Sequence, residues 1–196
     1  YVYPKIGNKH LENNPIIVGT GPAGLFCAYL LAELGFKPII IERGEPIEQR
    51  VPTVEAFWKD GILNPNSNVQ FGEGGAGTFS DGKLNTVVKD KLNRGKRVFE
   101  IFIENGAPNE IMYLSKPHIG TDILRKVIIN MRNKIIKMGG IFRYNACLTD
   151  INISDNKLES IEINNSEIMI CENLILAIGH SARDTFKMLY DKGLNM

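Results

Sequence analysis

Six consecutive residues, Gly19-Thr20-Gly21-Pro22-Ala23-Gly24, have the types and spacing of an anion-binding turn, G-x-G-x-x-G. In such a turn each glycine has its own task. Gly19 permits the tight bend, Gly21 lets the backbone approach a pyrophosphate, and Gly24 lets the following helix pack close to the sheet. Free backbone N–H groups at the helix start then face the phosphates, helped by the positive end of the helix dipole, with Pro22 and Ala23 as further candidate contacts in the turn. Glu42 lies 23 positions past Gly19. A carboxylate at that distance is placed to accept hydrogen bonds from adenosine ribose hydroxyls. It also repels a 2′-phosphate, so FAD or NAD suits the pattern and NADP suits it poorly.

A second glycine-rich segment, Gly72 to Gly82, predicts backbone that passes close to a ligand or repeatedly adopts positive φ. Successive exposed N–H groups in such a loop form anion nests. Gly74, Gly75, Gly77 and Thr78 are the candidates there. Ser80, Asp81 and Lys83 are candidate polar contacts, although Asp81 equally suits a turn cap and Lys83 a solvated position. His180 follows the glycine that ends the last strand, at the edge where α/β proteins bind ligands, and His118 precedes a helix cap. No catalytic acid or base can be named from these residues.

The elements that must position this chemistry are legible in part. Pro15 to Gly19 is a short β-branched run, the pattern of a buried parallel strand. Leu25 to Leu34 predicts a helix closed by Gly35, and Pro38 to Glu42 a second buried strand. Together they make one βαβ unit with a right-handed crossover. Ile47 to Trp58 has helical character that Pro52 should break or kink. Residues 61 to 86 read as a long Gly-, Asn- and Ser-rich loop, which in a compact domain is functional or disordered. Lys91 to Asn105 predicts a helix with Val98, Ile101 and Phe102 on one face. Thr121 and Asp122 are expected to cap a helix running to Met138, whose outer face of Arg125, Lys126, Arg132, Lys134 and Lys137 should be solvated. A β meander is expected from about 141 to 171, with turns at Asp155-Asn156 and Asn164-Asn165. Asn173 to Gly179 predicts another buried strand and Asp184 to Lys192 a closing helix. Trp58 and Phe57 read as core residues.

Bulk composition excludes some classes. The chain has 196 residues, 43% of them hydrophobic, enough for a real core. Its 23 Lys plus Arg nearly cancel 22 Asp plus Glu, so no nucleic acid or anionic membrane is expected as partner. No apolar run reaches the ~18 residues needed to span a bilayer. Cys27, Cys147 and Cys171 form no CxxC pair, which gives no metal site and no redox disulfide of that kind. Dispersed thiols suit a reducing compartment, and the expected location is cytoplasmic. The chain opens on Tyr1 rather than Met and stops soon after a turn-like Lys192-Gly193, so it is expected to be a piece of a longer protein.

Gly19 to Leu25 followed by Ile41-Glu42-Arg43-Gly44 resembles the opening of the two-dinucleotide-binding-domain flavoproteins. Three further strings, Phe71 to Leu84, Ser115 to Asp122 and Ala177 to Asp184, together resemble the bacterial family of uncharacterised FAD-dependent dehydrogenases, also called NAD(FAD)-utilising dehydrogenases. The resemblance runs from about Pro15 to the end. It implies that Gly19, Gly21, Gly24, Glu42 and Arg43 belong to an ADP site, and that Gly72 to Leu84 wraps the pyrophosphate and isoalloxazine. It implies that Leu148 sits in the β segment offering backbone groups to adenine, and that Ala177 to Gly179 and His180 pass the cofactor. The family's later Gly-Asp segment, which closes the flavin site, has no match here. The expectation is an α/β Rossmann-like FAD-binding domain with a parallel core sheet, over 15–196 after a linker at 1–14. The substrate domain and flavin-closing segment are expected beyond residue 196. The implied activity is a FAD-dependent oxidoreductase acting on a small-molecule substrate, with NAD(H) as a candidate electron partner. A nucleotide-binding module without redox turnover and a NAD-only dehydrogenase stay open as alternatives. Substrate and oligomeric state are not legible.

Overall fold

A computed structural model describes residues 1–7, 10–84 and 89–195. Two residues of the expected linker, the end of the expected long loop at 85–86 and the terminal Met196 lie outside the described residues. The fold is α/β. β1 (Ile16–Val18) leads into α1 (Pro22–Glu33), β2 (Ile39–Ile41) and α2 (Ile47–Asp60). α3 (Arg94–Glu104) and α4 (Thr121–Lys137) follow, then β3 (Ile141–Arg143), β4 (Leu148–Ser154), β5 (Lys157–Ile163), β6 (Glu167–Ile170), β7 (Leu174–Leu176) and α5 (Arg183–Asp191).

Four strands form a parallel sheet in the order β3-β2-β1-β7. Its register pairs Ile16 with both Ile39 and Leu174, and Ile39 with Ile141. Alternation along a strand sends successive side chains to opposite faces. Ile17 and Ile40 accordingly join a helical layer with Tyr29 of α1, Ile101 of α3 and Val127 and Met131 of α4. Ile16, Val18 and Ile41 join the other layer, with Leu148, Ile161 and Ile163 of the antiparallel β4-β5-β6 sheet and Leu189 of α5. Helices, parallel sheet and antiparallel sheet thus stack as three layers, each covering an apolar face that could not be left in water. Among the described residues no helix is long and apolar enough to cross a membrane.

Several elements depart from the sequence reading. β3 is not part of the meander: it follows α4 through Gly139-Gly140 and joins β2 in parallel, as a strand that emerges from a crossover helix does. The meander is confined to Leu148–Ile170, its hairpins turning at Asp155-Asn156 and Asn164-Asn165, all four at positive φ. α2 runs through Pro52. The ring is exposed, and buried Arg50 and Val54 anchor the helix on its other side. α1 begins at Pro22, a good first helical residue, so Gly24 lies inside it. α3 begins only at Arg94, where Asp90 accepts hydrogen bonds from the Arg94 and Gly95 N–H groups. Gly120, not Thr121 or Asp122, caps α4, and Thr121 Oγ1 instead donates to the Ser80 carbonyl at 2.7 Å. Trp58 is 59% exposed rather than core, its ring edge-on to Phe79. Tyr3, in the expected linker, donates to Glu33 of α1 and accepts from Arg97 of α3.

Candidate functional site

The carboxyl ends of β1, β2 and β7 open on one cavity of about 880 Å³, within the range of small-molecule sites. Gly19 ends β1 at φ +102°, and a Cβ on it would lie 2.4 Å from the Ala177 carbonyl oxygen at the end of β7. A Cβ on Gly24 would lie 1.9 Å from the Gly19 carbonyl oxygen, so helix and turn touch backbone to backbone. Gly21 differs from both. It caps α1 in extended conformation (φ −66°, ψ −178°), and the nearest atom to a Cβ there is Gly75 Cα at 3.9 Å. Pro22 at the first helical position has no N–H, and the following first-turn amides have no acceptor within the helix. The helix starts at the cavity wall, which Gly21, Pro22 and Ala23 all line.

Opposite this turn stands the second glycine segment, wound into a short 3₁₀ turn at Gly75–Phe79. An arginine holds it. Arg50 is fully buried, and the loop wraps its guanidinium: Nε donates to Asn68 O (2.9 Å), Nη1 to Glu73 O (2.6 Å), Gly75 O (2.9 Å) and Thr78 Oγ1 (3.3 Å), and Nη2 to Val69 O (3.0 Å). Burial pushes its pKa down to about 10, against the opposing pull of Glu42 and Glu73. Glu73, also fully buried, accepts from Ile47 N (2.9 Å), Tyr144 Oη (2.7 Å) and Arg132 Nη1 (2.9 Å). Burial raises the Glu73 carboxyl, and the Ile47 N–H and Arg132 pull it back. The Tyr144 hydroxyl is pushed well above its ordinary value by burial and by Glu73. Gly74 N donates to Thr20 O at 2.9 Å, which ties loop to turn. Such a network makes the loop a rigid wall, since each buried carbonyl that lost its donor would be costly.

The far end of the cavity is built by Glu42, Arg43, Phe71, Ala146, Leu148 and Thr185. The Arg43 guanidinium lies 4.4 Å over the Phe71 ring, and Nη2 donates to Asp184 Oδ1 (2.9 Å) and Thr185 Oγ1 (3.0 Å). Burial lowers its pKa, but Asp184, Cys147 and Glu42 together outweigh that and the net shift is upward. The Glu42 carboxylate is only 5% exposed and accepts four protein hydrogen bonds.

Of the residues picked from sequence, Gly19, Gly21, Pro22, Ala23, Glu42, Arg43, Gly75, Gly77, Leu148, Ala177, Gly179 and His180 all line this cavity, His180 as an exposed residue. The others stand elsewhere. Gly24 packs behind the turn. Gly74 and Thr78 sit inside the loop, Thr78 Oγ1 donating to Glu73 O. Ser80 Oγ donates to Gly77 O, and Lys83 pairs with Asp81 on the surface and bridges to exposed His118. The α4 basic face is not simply solvated. Arg132 is drawn onto Glu48 and Glu73, Lys134 onto Glu104, and Arg125 over Phe79. Arg50, Glu73 and Phe71 carry no individual role in the sequence reading, although Phe71 and Glu73 lie in the Phe71 to Leu84 string. The one available signal was an acid, Glu73, set among glycines where a merely flexible loop has no use for it.

Residues 17–69 match the family described as NAD(P)-binding Rossmann-like domain. An uncharacterized protein of Clostridium beijerinckii is 53% identical over 192 residues, covering 98% of this chain. The chain spans 36% of that relative's length. Among solved structures, Thermovibrio ammonificans THI4 superposes with a TM-score of 0.58 at 15% identity, over 93% of this chain and 63% of that one. OTEMO, solved in complex with FAD and NADP, superposes with a TM-score of 0.51 at 17% identity, over 87% of this chain and 26% of that one. These likenesses show the fold, a Rossmann-like domain that covers only part of larger proteins.

Proposed function

We propose that the cavity holds the ADP half of FAD and that the chain is the dinucleotide-binding part of an FAD-dependent oxidoreductase acting on a small organic substrate. One observation carries the reading. The open start of α1 and the glycine loop touch where Gly21 meets Gly75, a Cβ on Gly75 lying 3.1 Å from Gly21 Cα, and both line the cavity at the carboxyl edge of a parallel sheet, where doubly wound folds bind nucleotides. A diphosphate lying in the cavity against that junction would meet first-turn amides and loop backbone, with no side chain at the point where the two segments join. Leu148 and Phe71 would flank the adenosine end. Gly179 and His180 would stand beside the remainder of the cofactor at the rim.

FAD, when bound, supplies reversible hydride or electron transfer. The chain's own residues bind and orient it: the α1 start neutralises phosphate charge, and Arg50 holds the loop in its place at the cavity wall. The OTEMO complex with FAD and NADP, on a similar fold, supports the flavin reading. The match to NAD(P)-binding domains favours a nicotinamide dinucleotide as the rival occupant. Calorimetric titration of the chain, and of a version extended at its C-terminus, with FAD, NAD and ADP separates the two. The flavin reading expects ADP to bind both and FAD to be retained by the longer protein. Tight NAD binding with no FAD binding in either would overturn it.

A further inference from the structure

The geometry points to Glu42 as a positioning residue that clasps the two glycine segments together, rather than as the group that reads the adenosine ribose. The inference rests on the nucleotide reading of the cavity. A carboxylate offers about four acceptor positions. In Glu42 all four are taken: Oε2 accepts from Thr20 N (2.8 Å) and Thr20 Oγ1 (2.7 Å), and Oε1 from Gly44 N (2.9 Å) and Gly72 N (3.0 Å). A ribose hydroxyl that donated to it would have to displace a buried protein donor, which cancels the gain.

The donors come from three separate stretches. Thr20 belongs to the first glycine turn, Gly44 to the segment after β2, and Gly72 to the second glycine loop. The backbones at Gly44 and Gly72 are in contact, because a Cβ on Gly44 would lie 2.6 Å from Gly72 Cα. Thr20 is itself fully buried, and its carbonyl accepts from Gly74 N. Glu42 is thus the joint where turn and loop meet, and it holds Gly21 and Gly75 in contact at the cavity wall. Removing its charge should loosen that junction and weaken every adenine nucleotide alike, whatever hydroxyls the ribose carries.

The test compares ADP, 2′-deoxy-ADP and 3′-deoxy-ADP by calorimetry on the wild-type chain and on Glu42→Gln, with amide hydrogen exchange on both. The wild type is expected to bind all three within about threefold. Glu42→Gln turns two acceptor positions into donors that face N–H groups, so it should weaken all three by the same factor, about tenfold or more. Exchange at Thr20 and Gly72 should quicken while the Ile17 and Ile40 amides stay as in the wild type. The inference is overturned if either deoxy nucleotide binds the wild type more than about tenfold more weakly than ADP and Glu42→Gln abolishes the difference. Unchanged exchange at Gly72 in Glu42→Gln would overturn it as well. If ADP does not bind the wild type, the nucleotide reading fails, and exchange at Gly72 alone still decides the clasp. Should Glu42→Gln not fold, Thr20→Val removes a single donor, and the same local quickening at Gly72 is required of it.

Discussion

Gly21→Ala isolates the proposed phosphate site from the stability of the fold. The position already has extended backbone that any residue adopts, and the added methyl would find its nearest neighbour, Gly75 Cα, at 3.9 Å. Alanine is a poorer helix cap than glycine, a loss offset by the roughly 0.4–1 kcal/mol that Gly→Ala withdraws from unfolded-chain entropy. The net change in stability should stay within about 1 kcal/mol, a Tm shift of about 2–4 °C for a chain of this size. The methyl would nonetheless stand at the cavity wall against which the diphosphate is placed. Forcing it against a ligand costs about 1–3 kcal/mol, so ADP affinity should fall roughly ten- to hundredfold. Gly24→Ala supplies the contrast, because its methyl would meet the Gly19 carbonyl oxygen at 1.9 Å with backbone on both sides. It should cost at least the upper part of that range in stability, with lost binding a mere consequence. Thermal melts and ADP calorimetry on both variants check this. An alanine at 21 that leaves both Tm and ADP affinity at wild-type values would refute the placing of the diphosphate against Gly21.

Arg50→Met removes five hydrogen bonds, four of them to loop carbonyls, and should destabilise the fold by about 3–5 kcal/mol, the range for stripping one partner from a buried charged network. Denaturant unfolding measures it, and amide exchange should rise first across residues 68–79; a loss below about 1 kcal/mol would show that the loop orders itself without the arginine. Glu104 gives a pH dependence. Burial alone would raise its carboxyl, but Lys134 and Arg97 hold it down at about 2, against an ordinary value of 4.5. A depressed carboxyl contributes stability that is complete above the ordinary value and is lost as pH falls from about 4.5 towards 2. The side chain is more than a third exposed, so solvent screening keeps the effect small. Melts of wild type and Glu104→Gln should therefore differ at neutral pH and converge near pH 2, and a constant difference would contradict the pairing.

Local pattern sufficed for the parts of this protein that are local in physics. The β-branched run before Gly19, the glycines at fixed spacing and the acid at 42 describe a strand, a turn and a second strand whose geometry depends on neighbours within one βαβ unit. Of the twelve residues picked from sequence that line one cavity, Gly19, Gly21, Pro22, Ala23, Glu42, Arg43, Ala177, Gly179 and His180 follow parallel strands and so gather at the sheet's carboxyl edge, whereas packing brings Gly75, Gly77 and Leu148 to it. Three-dimensional packing decided the rest. Whether Ile141–Arg143 paired with the meander or with β2 turned on where α4 delivered the chain, which strand propensity does not encode. By residue type alone, buried Arg50 and Glu73 are only a charge on a helix and a charge in a loop. Their roles depend on carbonyls and hydroxyls that converge from residues 18 to 71 positions away, and no periodicity records such partners. Glu42 shows the division within a single side chain. Its spacing from Gly19 put it on the cavity wall, while the donors that fill its carboxylate come from backbone brought into contact only when turn and loop fold against each other.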